Sequence, residues 1–161
     1  MKSKKQRKMS IKAVKTVRFQ VKQALVKRAD IKNFRPTIAQ AQSWFNILNK
    51  GIFNSRLTMP ELELRRLKGC YGQCACLWDA RKVKTVNERA LPVDQIPHPA
   101  VTFKIQLLTK YNTWKDFIET LAHEMVHLYQ MTVDRDIYSN HNANFYRWRN
   151  RFKSLGLKLS F

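Results

Sequence analysis

Acidic residues are few in this chain. Of 161 residues only 11 are Asp or Glu, against 31 Lys and Arg, leaving a formal charge of +20 and a pI near 10.3. So much uncompensated positive charge repels itself, so a polyanion is the expected partner, nucleic acid before an anionic membrane surface. Long apolar runs are missing too. No stretch approaches 18 consecutive apolar residues, so no membrane-spanning helix is expected. The first ten residues, MKSKKQRKMS, are basic enough to open a signal peptide, but IKAVKTVRFQVKQ behind them has no apolar run of seven, so secretion is not expected. Cysteine is scarce and odd in number. Cys70, Cys74 and Cys76 fall within seven residues and cannot all pair within the chain, which argues for a reducing, cytoplasmic setting. There is no internal repeat, and no biased tract apart from the basic N-terminus.

What is present suffices for one domain. A chain of this length buries roughly 70% of its unfolded surface, and 44% hydrophobic residues can supply the core. The charge is not evenly spread. Residues 1–36 hold 13 Lys and Arg with only Asp30 against them, a net +12, so the chain divides into a basic N-terminal arm or helix over 1–36 and a body over 37–161. Within the arm Ile11, Val14, Val17, Val21 and Leu25 step by three and four, as on an amphipathic helix, although Val17, Phe19 and Val21 also alternate as on a strand. Lys and Arg interrupt the apolar face, so docking on a membrane is not expected.

The body reads as α+β. Thr37 with Gln40 three residues on forms a capping box, Ile38, Ala41, Trp44, Phe45 and Leu48 mark a helix face, and Gly51 is the expected C-cap. Between 52 and 108 the period changes to that of strands: CYGQCACLW favours β structure and Val101–Leu107 alternates, which predicts two or more antiparallel strands, with a proline-marked loop over 89–100. The three cysteines share one parity there and are expected to face the core. Thr113 and Asp116 cap the strongest helix, over 113–131, whose row is Trp114, Phe117, Ile118, Leu121, Met125 and Leu128. A last helix over 141–155 carries Phe145, Trp148, Phe152 and Leu155 and stops at Gly156.

Residues 123–127 read His-Glu-Met-Val-His. On a helix, positions i and i+4 share a face, so both imidazoles can reach one metal ion while Glu124 addresses a water beside it. With four histidines and this few acids, such a pattern arises by chance about three times in a thousand, which makes it specific. A catalytic zinc site needs a third protein ligand. Gln130 and Val133 stand where a metzincin requires Gly and His, and Glu124 is the last glutamate, so no downstream Glu can serve. His141, Asp134 and Asp136 remain downstream. His141 is favoured as the remaining imidazole, able to fold back over the helix from a turn across 132–140. The two aspartates are expected to be solvated or to orient an imidazole, and His98, between Pro97 and Pro99, reads as a plain loop residue. For nucleic acid the candidates are Lys2, Lys4, Lys5, Arg7, Lys8, Lys12, Lys15, Arg18 and Lys22 in the arm and Arg147, Arg149, Arg151 and Lys153 in the last helix. Such side chains hold phosphate without reading sequence. Trp148 among them reads as a core anchor before a stacking platform.

Five pieces in order, Phe53-Asn-Ser-Arg-Leu, Leu67-Lys-Gly-Cys-Tyr-Gly, Ile105-Gln-Leu, Thr120-Leu-Ala-His-Glu-Met-Val-His-Leu-Tyr-Gln and His141 with Phe145, resemble the SprT-like (Spartan-type) metalloprotease family over residues 40 to 155. The resemblance implies a small zincin-like domain, helices packed on a short antiparallel sheet. It implies a zinc-dependent peptidase that cleaves proteins on DNA, including DNA-crosslinked ones. One zinc ion per chain would be held by His123, His127 and His141, with Glu124 as general base. The chain departs from the family in carrying Asn142 after His141 where Gly is usual. A reading from a different class is a non-catalytic nucleic-acid-binding or virion-associated protein whose zinc site is structural or vestigial. The location expected is cytoplasmic and DNA-associated, or a virus particle if the gene is viral.

Overall fold

The computed structural model describes residues 4–85, 91–136 and 139–160, with side chains from residue 10 onward. Among the described residues five α-helices and five strands follow one another as α1 (Lys4–Arg28), β1 (Lys32–Phe34), α2 (Ile38–Ile52), β2 (Glu61–Leu64), β3 (Gly72–Trp78), β4 (Val101–Leu107), β5 (Tyr111–Thr113), α3 (Trp114–Tyr129), α4 (Ala143–Tyr146) and α5 (Arg149–Ser154). This is the expected α+β arrangement. The three-stranded sheet has the order β2–β4–β3, and β1 pairs with β5 in a separate two-stranded ribbon. The antiparallel pairing expected between 52 and 108 is that of β3 with β4, Cys74 lying opposite Ile105; β2 joins the other side of β4 in parallel. Among the described residues no helix is long and apolar enough to cross a membrane.

Both capping boxes form. Thr37 Oγ1 accepts from the Gln40 N–H while Gln40 Oε1 accepts from Thr37, and Thr113 and Asp116 do the same at the start of α3. Each fixes a helix start and satisfies two otherwise orphaned N–H groups. The core fills the space between α2, α3 and the sheet: Phe45, Leu48 and Ile52 from α2 meet Phe117, Ile118, Leu121 and Met125 from α3 and Ile105 and Leu107 from β4, all fully buried. Trp44 meets Trp114 edge to face at 5.2 Å. Each such side chain contributes about 1.5–3 kcal/mol by leaving water.

Three details differ from the sequence expectation. First, Gly51 is not a C-cap. The helix continues to Ile52 and is capped by Phe53; Gly51 is buried where α1 crosses, and a Cβ there would lie 3.4 Å from Val17 Cγ1. The arm forms a helix whose Val21 and Leu25 join the core. Ile11, of the same predicted row, is 57% exposed because the packed face begins a turn later. Second, Cys70 is exposed, since it precedes β3 and does not share its alternation; Cys74 packs on the main core and Cys76 on a small cluster of Val83, Ile96 and Val101. Third, the last helix is two. Between α4 and α5 the turn tightens, Trp148 N–H bonding Phe145 O at 3.3 Å, and Trp148 packs on Phe53 and Tyr129 with centroids 4.8 and 4.7 Å away. Trp148 is thus the core anchor expected. Gly156 ends α5 at φ +84°, a conformation that favours glycine. Residues 89 and 90 of the predicted proline loop lie outside the described residues.

Candidate metal centre

α3 presents His123 and His127 one turn apart, and the chain returns after Asp136 to bring His141 opposite them. The Nε2 atoms of the three imidazoles lie 3.2 Å from one another in every pair. Three nitrogens on one face of a tetrahedron around zinc, each about 2.0–2.1 Å from it, would stand about 3.4 Å apart, so the spacing fits a single small cation. The rings rest on Phe145, whose centroid is 4.6–4.9 Å from each of theirs. Phe145 thereby walls the site with a group that cannot compete as a ligand.

Proton placement argues the same way. Gln130, fully buried, donates through Nε2 to Asn140 O at 2.9 Å and toward Asn142 Oδ1 at 3.3 Å. Both partners can only accept, so the amide orientation is fixed and its Oε1 is the atom 2.9 Å from His127 Nδ1. That nitrogen must then carry the proton, which leaves the His127 Nε2 lone pair free and aimed at the other two rings. The Ser139 hydroxyl, 3.0 Å from the same Nδ1, adds a second contact. His123 is held from the other end of the chain by the backbone of Ser160. There the segment after Gly156 lies along α3 with Leu157 and Leu159 buried and the Lys158 N–H donating to Glu119 Oε2 at 2.7 Å. Burial, with the neighbouring imidazoles assisting, lowers His123 to about 4, and burial lowers His127 as well. Both rings are therefore neutral at pH 7, the form that ligates metal.

Glu124 points to another side of α3 and is only 6% exposed. Burial pushes its carboxyl up to about 8, against the pull of the Cys74 backbone N–H that bonds it. In sequence that carboxyl is next to His123; in space its neighbours include the Cys74 N–H and the backbone of Gly72. Asp134 and Asp136 are not in the cluster. Asp134 accepts two bonds from Arg147, at 2.7 and 2.8 Å, and Asp136 accepts from Asn142 Nδ2 at 2.8 Å. Asn142 is extended, at φ −106° and ψ −169°, and caps α4 through Phe145 N–H. A residue in that conformation needs no glycine, which accounts for Asn142 at this position. His98 Nδ1 accepts from Ala100 N–H at 3.0 Å, a turn contact away from the cluster.

The cationic candidates disperse. Lys12, Lys15 and Lys22 are exposed on α1, whereas Arg18 is half-buried and its Nε donates to Gly51 O at 3.0 Å. The side chains of Lys2, Lys4, Lys5, Arg7 and Lys8 lie outside the described residues. Arg147 and Arg151 line a groove of about 320 Å³ with Phe53, Tyr129 and Trp148, joined there by Arg56, which sequence reading missed. Arg149 turns elsewhere, 4.3 Å above the Tyr146 ring, and with Lys153 borders a second groove near Lys158. Sequence reading also missed Gln130, Ser139, the Cys74 N–H and the Ser160 backbone. Only Gln130 had a signal, its place three residues after His127 on the same helical face; the others are non-local or backbone contacts. Beyond the chain itself, a model of the SprT-like family matches residues 41–160. No curated protein matches it.

Proposed function

The chain belongs to the SprT-like family, and from that premise we propose that it is a zinc-dependent endopeptidase acting on proteins bound to DNA, DNA-crosslinked ones included. The observation that carries the proposal is the convergence of His123, His127 and His141 at 3.2 Å with a buried Glu124 next to the first of them. Zinc held by three imidazoles supplies an electrophile for the scissile carbonyl and acidifies water toward neutral pH. His123, His127 and His141 would hold the ion, Gln130 keeps the proton of His127 on Nδ1, and Phe145 backs the rings with an apolar wall. Glu124 accepts the proton of the attacking water on its carboxylate and delivers it to the leaving amine.

DNA contact rests on charge and placement. Exposed Lys12, Lys15 and Lys22 on α1, together with the groove of Arg56, Arg147 and Arg151, offer phosphate-binding groups on a chain of net +20. A DNA-associated cytoplasmic location belongs to the same proposal. The test is cleavage of a basic DNA-binding protein with and without single-stranded DNA, with metal content measured in parallel. Wild type is expected to carry one zinc per chain and to cleave, faster with DNA. Glu124→Gln is expected to keep the metal and lose about 10²–10⁴-fold in rate. Undiminished cleavage by Glu124→Gln would refute the mechanism. Zinc and DNA binding without any turnover would instead support a non-catalytic DNA-binding protein.

A further inference from the structure

The first residue of β3, at the free edge of the three-stranded sheet, passes directly over the base-bearing face of α3. Gly72 lies opposite Leu107 of β4 on one side. On the other side there is no room for a side chain. A Cβ at Gly72 would stand 2.7 Å from Thr120 Cγ2, 3.0 Å from Glu124 Cγ and 3.2 Å from Glu124 Oε1. Gly72 does not adopt a positive φ, so the backbone conformation does not call for glycine; the packing does. Two residues along the same edge, the Cys74 N–H bonds the Glu124 carboxyl. The strand cannot easily retreat. Tyr111 Oη donates to Tyr71 O at 2.7 Å and accepts from Leu108 N–H at 3.0 Å, and so ties the residue before Gly72 to the start of β5.

We infer that Gly72 is a positioning residue for Glu124: its missing side chain sets the β3–α3 spacing at which the Cys74 N–H holds that carboxyl in place. The inference rests on the peptidase reading of the site and adds to it a residue outside the zinc motif. An added methyl meets a β-branched Thr120 and the stem of Glu124, neither of them a free chain end. Something must shift, and the carboxyl or the strand that holds it is what lies in the way.

The experiment uses the full metal-loaded chain as wild type, Gly72→Ala, Thr120→Ser and the double variant, which removes the methyl closest to the new Cβ. Four quantities are read: kcat and KM on a peptide, metal per chain, thermal midpoint, and hydrogen exchange at the Cys74 and Ala75 amides. Strand alternation turns the Ala75 N–H toward β4 when that of Cys74 faces Glu124, so Ala75 serves as the control. Expected for Gly72→Ala are a kcat at least about tenfold lower, KM within about twofold, unchanged metal, a midpoint lowered by no more than about 10 °C, and Cys74 exchange at least about tenfold faster with Ala75 unaltered. The double variant is expected to recover at least about threefold in kcat. Wild-type kcat and Cys74 exchange in Gly72→Ala would overturn the inference, as would loss of metal, midpoint and both amides together, which marks a merely structural glycine. If Gly72→Ala fails to fold, the double variant is compared with Thr120→Ser on the same readouts. A wild type that binds metal and cleaves nothing refutes the peptidase reading itself, and the exchange data still report whether Gly72 sets the contact.

Discussion

At the scale of single residues, the site is a set of protonation states chosen by burial and by partners. Glu124 is the costliest member. Its carboxyl has a folded pKa of about 8, above its ordinary 4.5, so its contribution to stability is complete below pH 4.5 and is lost as pH rises through 8. Metal-free Glu124→Gln is therefore expected to be as stable as the metal-free wild type at pH 4 and more stable by roughly 2–4 kcal/mol at pH 8. Urea unfolding in the presence of a chelator checks this, and equal midpoints at pH 8 would contradict it. The depressed pKa values of His123 and His127 act in the opposite direction but are common to both proteins and cancel. Gln130 is the second residue of consequence. It is buried and fixes the His127 tautomer, so Gln130→Ala is expected to weaken metal binding about 10–100-fold, as measured by competition with a chromophoric chelator. His-Glu-Met-Val-His announces its own chemistry, because i and i+4 spacing converts sequence into geometry without help. The Cys74 N–H and Ser160 backbone leave no such trace, since any residue type supplies them.

At the scale of elements, capped helices are the part that propensity alone decides. Thr37–Gln40 and Thr113–Asp116 fix where α2 and α3 begin, and their apolar rows fix which faces turn inward. Helix ends are less legible, and Gly51 shows why. A glycine near the end of an apolar row suits a C-cap, yet this one lies inside α2 to let α1 approach, and its carbonyl is satisfied by Arg18. The contact allows one methyl. Gly51→Ala is expected to be neutral or stabilising by up to about 1 kcal/mol, from helix propensity. Gly51→Leu is expected to destabilise by roughly 1–3 kcal/mol by pushing α1 away. Thermal unfolding of the two variants separates this from a capping role, in which both substitutions would destabilise. The wide turn over Gln130–Asp134, ending at left-handed Arg135, likewise escapes the 3.6-residue pattern, and it is what swings the chain round to His141.

At the scale of the whole molecule, the net +20 governs the proposed contact with nucleic acid. Affinity for single-stranded DNA is expected to fall steeply with salt. Reversing Lys12, Lys15 and Lys22 to Glu removes three exposed contacts and is expected to flatten the slope of log affinity against log salt by about 2. Fluorescence anisotropy across 50–200 mM salt reads this, and an unchanged slope would move DNA off α1. Sequence determined the one-turn spacing of His123 and His127, the carboxyl of Glu124 between them, the two principal helices and the excess of positive charge, because each is local in the chain and periodic or compositional in form. Tertiary structure decided the rest. It selected His141 over two aspartates by folding a turn back on α3, joined β2 to β4 in parallel, divided the arginines between two grooves, and set β3 against Glu124 at a distance only a glycine permits. Those outcomes depend on which distant surfaces meet, and a linear pattern does not encode them one residue at a time.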